Sequence, residues 1–422
     1  MTRLDERGIA AIVFLAASAA SAASAACGAK GTSAPSPARG TQWFATWTTS
    51  NQEPGRNPAD PVDRRPIFAN RTVRQIVHTS IGGTSVRVRF TNEYGSQALV
   101  IGAAHVAFRD TGSAIRAGTD HPILFGGRSS ITLRPGAVVA SDPVSLEPPQ
   151  LGDLVVTMFV RDSIRAVTRH TLATQANYAS RTGDYTAAVT MPVDTTILGW
   201  MWLAGVDVTN PTATGVIVTL GNSITDGFNS TRSMNRRWPD VLADRLLASA
   251  SREPPKGVVN AGISGNRVLS PGTGPSALAR FDRDVLAQPG VTHVIVLEGI
   301  NDIGHSLEDS VTAEDVIFGL YQLAARAHEH GLVIIGATLT PAGPRASFPP
   351  ALEAKRQAVN LWIRSSNVFD GVIDFDAATR DPADPAQMRK AFDSGDHLHP
   401  GDAGYKAMGD AIDLSLFRRA RQ

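Results

Sequence analysis

Two periodicities divide the chain, and they change over near Asn210-Pro211. Before that point apolar residues mostly alternate with polar ones. Val86, Val88 and Phe90 fall on one side and Arg87 and Arg89 on the other, the pattern of a strand with one buried and one wet face. Similar runs at Thr72–Thr79, Leu99–Phe108, Ser130–Leu133 and Leu154–Val160 predict more strands, with Gly82-Gly83, Gly126-Gly127 and Pro135-Gly136 as turns between them. Several short strands with few helical stretches predict an antiparallel, jelly-roll-like β-sandwich over residues 43–208.

Beyond Pro211 apolar runs alternate with helical spacing. Gly215–Leu220 reads as a strand buried on both faces, and Trp238–Leu247 as a helix. Further strands are predicted from Val258-Val259 and at Val294–Leu297, Leu332–Thr338 and Val372–Phe375. Helices are predicted at Ala313–His330 behind a Thr312 cap, from Pro350 through Ile363, and at Ala403–Leu416. Such alternation over residues 212–422 predicts an α/β fold, with a parallel sheet covered on both faces and its chemistry beyond the carboxyl ends of the strands.

A third pattern occupies the first 27 residues. Arg3 and Arg7, with the acidic pair Asp5-Glu6 between them, lead into an apolar, small-residue run from Ile9 to Ala26. It reads as an export signal, and no second apolar stretch of membrane-spanning length follows. Cys27 is the only cysteine, so an internal disulfide is excluded. Ser24-Ala25-Ala26-Cys27-Gly28 resembles a bacterial lipobox, with Ser24 where leucine is usual. Two readings stand: Cys27 carries a lipid anchor, or an Ala-x-Ala signal-peptidase site happens to precede a cysteine. Residues 28–42, rich in Ala, Ser, Pro and Gly, form a flexible tether under either. The expected location is outside the cytoplasm, whether secreted, periplasmic or lipid-anchored at the cell surface.

Composition narrows the partners. A net charge of +1, with no basic block beyond short clusters such as Arg418-Arg419, excludes nucleic acid as the main partner. An apolar content of 42% supplies a sizeable core.

Four segments carry candidate chemistry. Gly221-Asn222-Ser223-Ile224-Thr225-Asp226-Gly227 follows a buried strand and precedes a helix, so Ser223 is displayed on a tight loop with its N–H free to face an anion. In Asp396-His397-Leu398-His399-Pro400, a carboxylate and an imidazole three residues apart can serve a serine as orienting group and base. Asn260–Asn266 and Gly299-Ile300-Asn301-Asp302 each end a strand with residues able to present N–H donors. Read singly, each is also an ordinary turn. A metal site built from Asp396, His397 and His399 is a further reading, against which no additional cluster has ligand spacing. His328 and His330 read as surface residues compensating a helix end.

Taken together and in this order, the four segments resemble the conserved blocks of the SGNH (GDSL-like) hydrolases: the GDS-type nucleophile loop, a glycine block, GxND and DxxHP. The resemblance covers Val216 to the C-terminus. It implies a three-layer α/β/α domain in which Ser223 is nucleophile, His399 base and then acid, and Asp396 the orienting carboxylate. It implies an oxyanion hole made by the Ser223 N–H, the Gly265 N–H and the Asn301 side chain. The residue before the nucleophile, usually Asp, is Asn222 here, and Asp226 or Asp302 is expected to supply the missing charge. Arg74–Ser80 and Gly299–Gly304 extend the resemblance to secreted bacterial members with an N-terminal β-domain, over Trp43 to Phe417.

The activity this implies is that of a serine carboxylic-ester hydrolase working through an acyl-enzyme, needing neither metal nor organic cofactor. Export and a β-domain favour removal of acetyl or other short acyl groups from polysaccharide or small esters. Trp43, Trp47, Trp200 and Trp202 are candidate sugar platforms or, alternatively, core residues. Lipase or lysophospholipase activity and acyl transfer would use the same triad. A non-catalytic glycan-binding protein is the reading from another class.

Overall fold

The computed structural model describes residues 42–54, 68–164, 167–249, 253–305, 310–343 and 345–418. The expected export signal, Cys27 and nearly all of the tether lie outside the described residues.

The alternating half forms mostly antiparallel sheets. One has the order β1 (Trp43–Thr48), β13 (Leu203–Thr209), β3 (Ser85–Thr91), β7 (Val138–Ala140). The larger runs β11 (Val193–Ile197), β10 (Asn177–Thr182), β2 (Arg71–His78), β8 (Asp153–Val160), β4 (Leu99–Phe108), β5 (His121–Pro122), with β6 (Ile131–Leu133) also on β4. A two-stranded ribbon joins β9 (Arg169–His170) to β12 (Trp200–Met201). Val86, Val88 and Phe90 of β3 point into the core shared by the two large sheets.

The other face of β3 is not wet. Arg87 and Arg89 both grip Asp207 of β13, at 2.8 and 3.1 Å, and the Asp207 side chain is fully buried. Arg89 also donates to Gln288 of the following half across 2.7 Å. This face packs against the α/β half, where the Ala45 N–H donates to the Pro289 carbonyl and the Val258 N–H to the Ser80 hydroxyl. The guanidinium groups answer a buried carboxylate and a neighbouring surface, which alternation alone cannot distinguish from water. One apolar cluster runs through both halves.

The second half is a parallel sheet of β15 (Lys256–Gly262), β14 (Gly215–Gly221), β16 (Val291–Leu297), β17 (Val333–Ala337) and β18 (Gly371–Ile373), in that spatial order. From β14 the chain steps one way to β15, then crosses back to β16 and continues to β17 and β18. Right-handed crossovers in opposite directions put α2 (Trp238–Ala248) on one face, and α5 (Ala313–Glu329) and α6 (Pro350–Ser365) on the other. The last helix, α8 (Asp402–Asp410), packs on α2. The shorter helices are α1 (Ser223–Asp226), α3 (Ala277–Phe281), α4 (Ile300–Gly304) and α7 (Phe375–Thr379). The result is the α/β/α architecture expected of residues 212–422, with the crevice for a ligand at the carboxyl end of β14, where strand order reverses.

Thr312 caps α5 as expected, in a reciprocal box with Asp315. Two boundaries differ. The strand expected to reach Phe375 stops at Ile373, because the Asp374 carboxylate accepts the Ala377 N–H and starts α7. The closing helix ends at Asp410, and Leu414–Phe417 is a separate 3-10 turn capped by Asp413. Among the described residues no helix is long and apolar enough to cross a membrane.

Candidate active site

Ser223 opens α1 two residues beyond the end of β14. Asn222 caps that helix, its side-chain oxygen accepting the Ile224 N–H, so the Ser223 N–H faces outward from a helix start. The Ser223 hydroxyl lies 2.8 Å from His399 Nε2, and His399 Nδ1 lies 2.6 Å from Asp396 Oδ2. The other Asp396 oxygen accepts the Leu398 and His399 N–H groups, closing the loop on itself. Asn229 donates to Asp396 Oδ2 and to the Ser394 hydroxyl, and the Phe228 ring stands 4.5 Å from the imidazole. Three groups spread over 177 positions of sequence are thus joined into one hydrogen-bonded line.

Its electrostatics suit a base. Burial is the main influence on His399 and holds its pKa below the usual 6.5, assisted by Arg345 and opposed by Asp396. Burial pushes Asp396 upward, but hydrogen bonds from the His399 backbone and ring and the Leu398 N–H outweigh it and keep the carboxylate low. A neutral imidazole held by an ionised carboxylate at neutral pH can take a proton from the serine.

The two donor segments meet each other. Gly265 has φ +79°, a left-handed turn that glycine adopts without strain. Asn301 donates to the Asn266 carbonyl across 2.8 Å, which ties the Gly299–Asp302 loop to the glycine loop. Gly262 allows the close approach behind it, since a Cβ there would fall 2.4 Å from the Asp226 nitrogen. Among the described residues neither the Ser223 nor the Gly265 N–H donates to another backbone group.

Both acidic residues expected to replace the charge missing at Asn222 are bonded to the donor loops rather than to Asn222. Asp302 accepts the Val268 and Leu269 N–H groups, and Asp226 accepts the Ser264 N–H and hydroxyl. The carboxyl beside Asn222 is Glu298, fully buried. Burial pushes its pKa up to about 8; Arg280 opposes the shift and Asp302 adds to it. Arg280, also buried, donates to the Gly221 and Ala261 carbonyls, to Asn266 Oδ1, to Asp284 and to the Ser50 hydroxyl of the β-rich half. It fixes the ends of β14 and β15 relative to each other. Glu298, Arg280 and Asn229 carried no motif of their own.

His397 is not part of the Ser223–His399–Asp396 line and bonds Asp393 instead, at 2.8 Å. Among the described residues no group of three or more His, Cys, Asp or Glu could hold a metal ion. Trp47, Trp200 and Trp202 are buried in the core, Trp47 and Trp200 edge to face, and Trp43 lies beneath the Arg87 guanidinium. His328, expected at the surface, is half-buried and bonds Asp370.

The parallel sheet carries Ser223, Gly265 and Asn301 just beyond the ends of β14, β15 and β16, with His399 on the loop before α8. Residues 219–407 match the GDSL-like Lipase/Acylhydrolase family, and that stretch of the chain is a domain of this family. Among solved structures, a protein of the G-D-S-L family from Desulfitobacterium hafniense is 22% identical, with 47% of this chain and 97% of that one covered at a TM-score of 0.36. A GDSL-like lipase from Bacteroides thetaiotaomicron is 18% identical over 49% of this chain and 88% of its own, with a TM-score of 0.38. An acetylxylan esterase from Geobacillus stearothermophilus is 22% identical over 47% and 93%, with a TM-score of 0.35. No curated protein matches the chain.

Proposed function

We propose that the protein is a serine carboxylic-ester hydrolase with Ser223 as nucleophile, His399 as general base and acid, and Asp396 as the orienting carboxylate. The observation that carries this reading is the unbroken line from the Ser223 hydroxyl through His399 to Asp396, at 2.8 and 2.6 Å. Ser223 Oγ attacks the ester carbonyl while His399 Nε2 takes its proton. The oxyanion rests on the Ser223 and Gly265 N–H groups and the Asn301 amide. His399 then protonates the leaving alcohol, and water releases the acyl group by the same route. Every step uses groups of the chain itself.

The substrate we favour is an acetyl or other short acyl ester of a hydrophilic alcohol, such as an acylated carbohydrate. Support comes from the exposed, polar surface beside His399, made by Asn229, Ser394, Asp396 and His397. With Trp47, Trp200 and Trp202 in the core, recognition of a sugar would rest on these polar groups. The export signal read at the N-terminus supports action outside the cytoplasm, where acylated polymers occur.

The test is hydrolysis of p-nitrophenyl acetate, butyrate, octanoate and palmitate, with acetate release from acetylated xylan, by the protein and its Ser223→Ala variant. Activity on short esters that vanishes in the variant is the expected result. Preference for palmitate would move the reading to a lipase, and acyl transfer to added alcohol exceeding hydrolysis would make it a transferase. Equal activity in both proteins, or none on any ester, would overturn it.

A further inference from the structure

His170 belongs to the β-rich half, yet its imidazole is buried against the nucleophile helix. Nδ1 lies 2.8 Å from the Ser50 carbonyl oxygen, and Nε2 lies 2.9 Å from Asp226 Oδ1 and 3.1 Å from the Leu172 carbonyl. Carbonyl and carboxylate oxygens only accept, so both ring nitrogens must carry a proton to satisfy them, and the ring is an imidazolium. Burial alone would lower its pKa, but the Asp226 carboxylate and the two carbonyls outweigh this and raise it. The second Asp226 oxygen accepts the Ser264 N–H at 3.0 Å and its hydroxyl at 2.9 Å. Ser264 immediately precedes Gly265, and Asp226 lies on the same single helical turn as Ser223.

We propose that His170 is a positioning residue supplied by the β-rich half: its ion pair with Asp226 fixes the Ser264-Gly265 peptide relative to Ser223 and so aims the Gly265 N–H at the oxyanion. The assignment of the oxyanion hole rests on the esterase reading above; the mechanical coupling does not. Ser50 ties the same half to the site twice, through its carbonyl on His170 and its hydroxyl on Arg280. The α/β half therefore does not hold a complete site by itself. An unpaired buried Asp226 would be costly where it stands, so loss of His170 must move or neutralise it and release Ser264.

Two substitutions separate positioning from packing. The amide nitrogen of glutamine can take the place of Nε2 and keep the bond to Asp226, whereas that of asparagine takes the place of Nδ1 and loses it. His170→Asn should lower kcat on a short ester about 10- to 100-fold with KM within about 2-fold, because an oxyanion contact acts in the transition state. His170→Gln should recover most of that loss. Hydrogen exchange gives a readout independent of activity: the Ser264 and Gly265 amides should exchange faster in His170→Asn, with the Ile295 and Ile335 amides of the central strands unchanged. Wild-type kcat in His170→Asn, equal losses in both variants, or a uniform rise in exchange would overturn the proposal. Should the unaltered protein hydrolyse no ester, the esterase reading falls, and exchange at Ser264 and Gly265 alone decides whether the coupling exists.

Discussion

The Asn222 amide donates to the Glu298 carboxyl across 3.3 Å, at a depth where neither side chain meets water. An amide rather than the carboxylate usual at this position leaves Glu298 as the carboxyl in contact with residue 222. Arg280 reaches it only at 3.5 Å while held at 2.9 Å by Asp284, so Glu298 has little positive charge to itself. Protonation is the cheaper solution for such a group.

Stability should therefore fall with rising pH through this residue. Its folded pKa, pushed up to about 8, exceeds the ordinary 4.5. Between those values the folded chain holds a proton that the unfolded chain has released, so the contribution is complete below the lower value and lost on approaching the upper one. Glu298→Gln should remove that part of the slope and raise the urea midpoint at pH 8 relative to pH 5. An unchanged slope would mean Glu298 is ionised in the folded protein.

The acid limb of the pH–rate profile should lie below pH 6.5, because burial and Arg345 hold His399 under that value. Removing the positive neighbour makes protonation of the imidazole easier. Arg345→Gln should move the limb toward higher pH, read from kcat/KM between pH 4 and 9. A limb that stays in place would show that Arg345 does not act on His399.

Much of the architecture was legible because the parallel strands carry runs of consecutive apolar residues punctuated by glycine. Gly215–Leu220 could be nothing but a buried strand, and Thr312 announced α5 through its cap. The Ser223 loop and the two donor loops stood out for a related reason: each follows directly on such a strand, whereas Asp396 and His399 lie well beyond β18 and α7 and stood out by their spacing alone. In the β-rich half, β10 and β11 (Asn177–Thr182 and Val193–Ile197) gave no signal, since their polar residues bond other segments. The Asn177 side chain, for instance, accepts the Ile76 N–H and donates to the Gly199 carbonyl. Arg87 and Arg89 looked wet because a buried Asp207 lies 118 or more positions away in sequence. His170, Arg280 and Glu298 escaped for the same reason, because each acquires its role from partners that only folding brings near.

Arg280 should be among the least replaceable residues of the α/β half. Its guanidinium satisfies two backbone carbonyls and two side-chain oxygens besides the carboxyls of Asp284 and Glu298, with no exposure. Arg280→Met withdraws the guanidinium from all of them at once. Asp284 keeps Arg283, Glu298 keeps Asn222 and the Gly221 carbonyl keeps the Ile263 N–H, but the buried carboxyls lose their shared cation, and the change should cost about 3–5 kcal/mol in chemical denaturation. Arg280→Lys should recover little, since one ammonium cannot span the fork. A cost below about 1 kcal/mol for either would show that the loops re-pair among themselves.

Gly265 offers the sharpest test of the oxyanion assignment, because its two constraints can be separated. A side chain there would adopt φ +79°, and its Cβ would fall 2.7 Å from the Thr273 hydroxyl. Thr273 is exposed and can swing away, so the steric part is removable, while the backbone part, about 1–2 kcal/mol, is not. Gly265→Ala should thus relax by turning the Ser264-Gly265 peptide, lowering kcat on the order of 100-fold at nearly constant KM. Thr273→Ala alone should leave kcat near wild type, and in the Gly265→Ala background it should restore only part of the loss. Full restoration would mean that the collision, not the direction of the N–H, was responsible. Unaltered kcat in Gly265→Ala would remove Gly265 from the oxyanion hole and leave Asn301 and the Ser223 N–H to hold the charge.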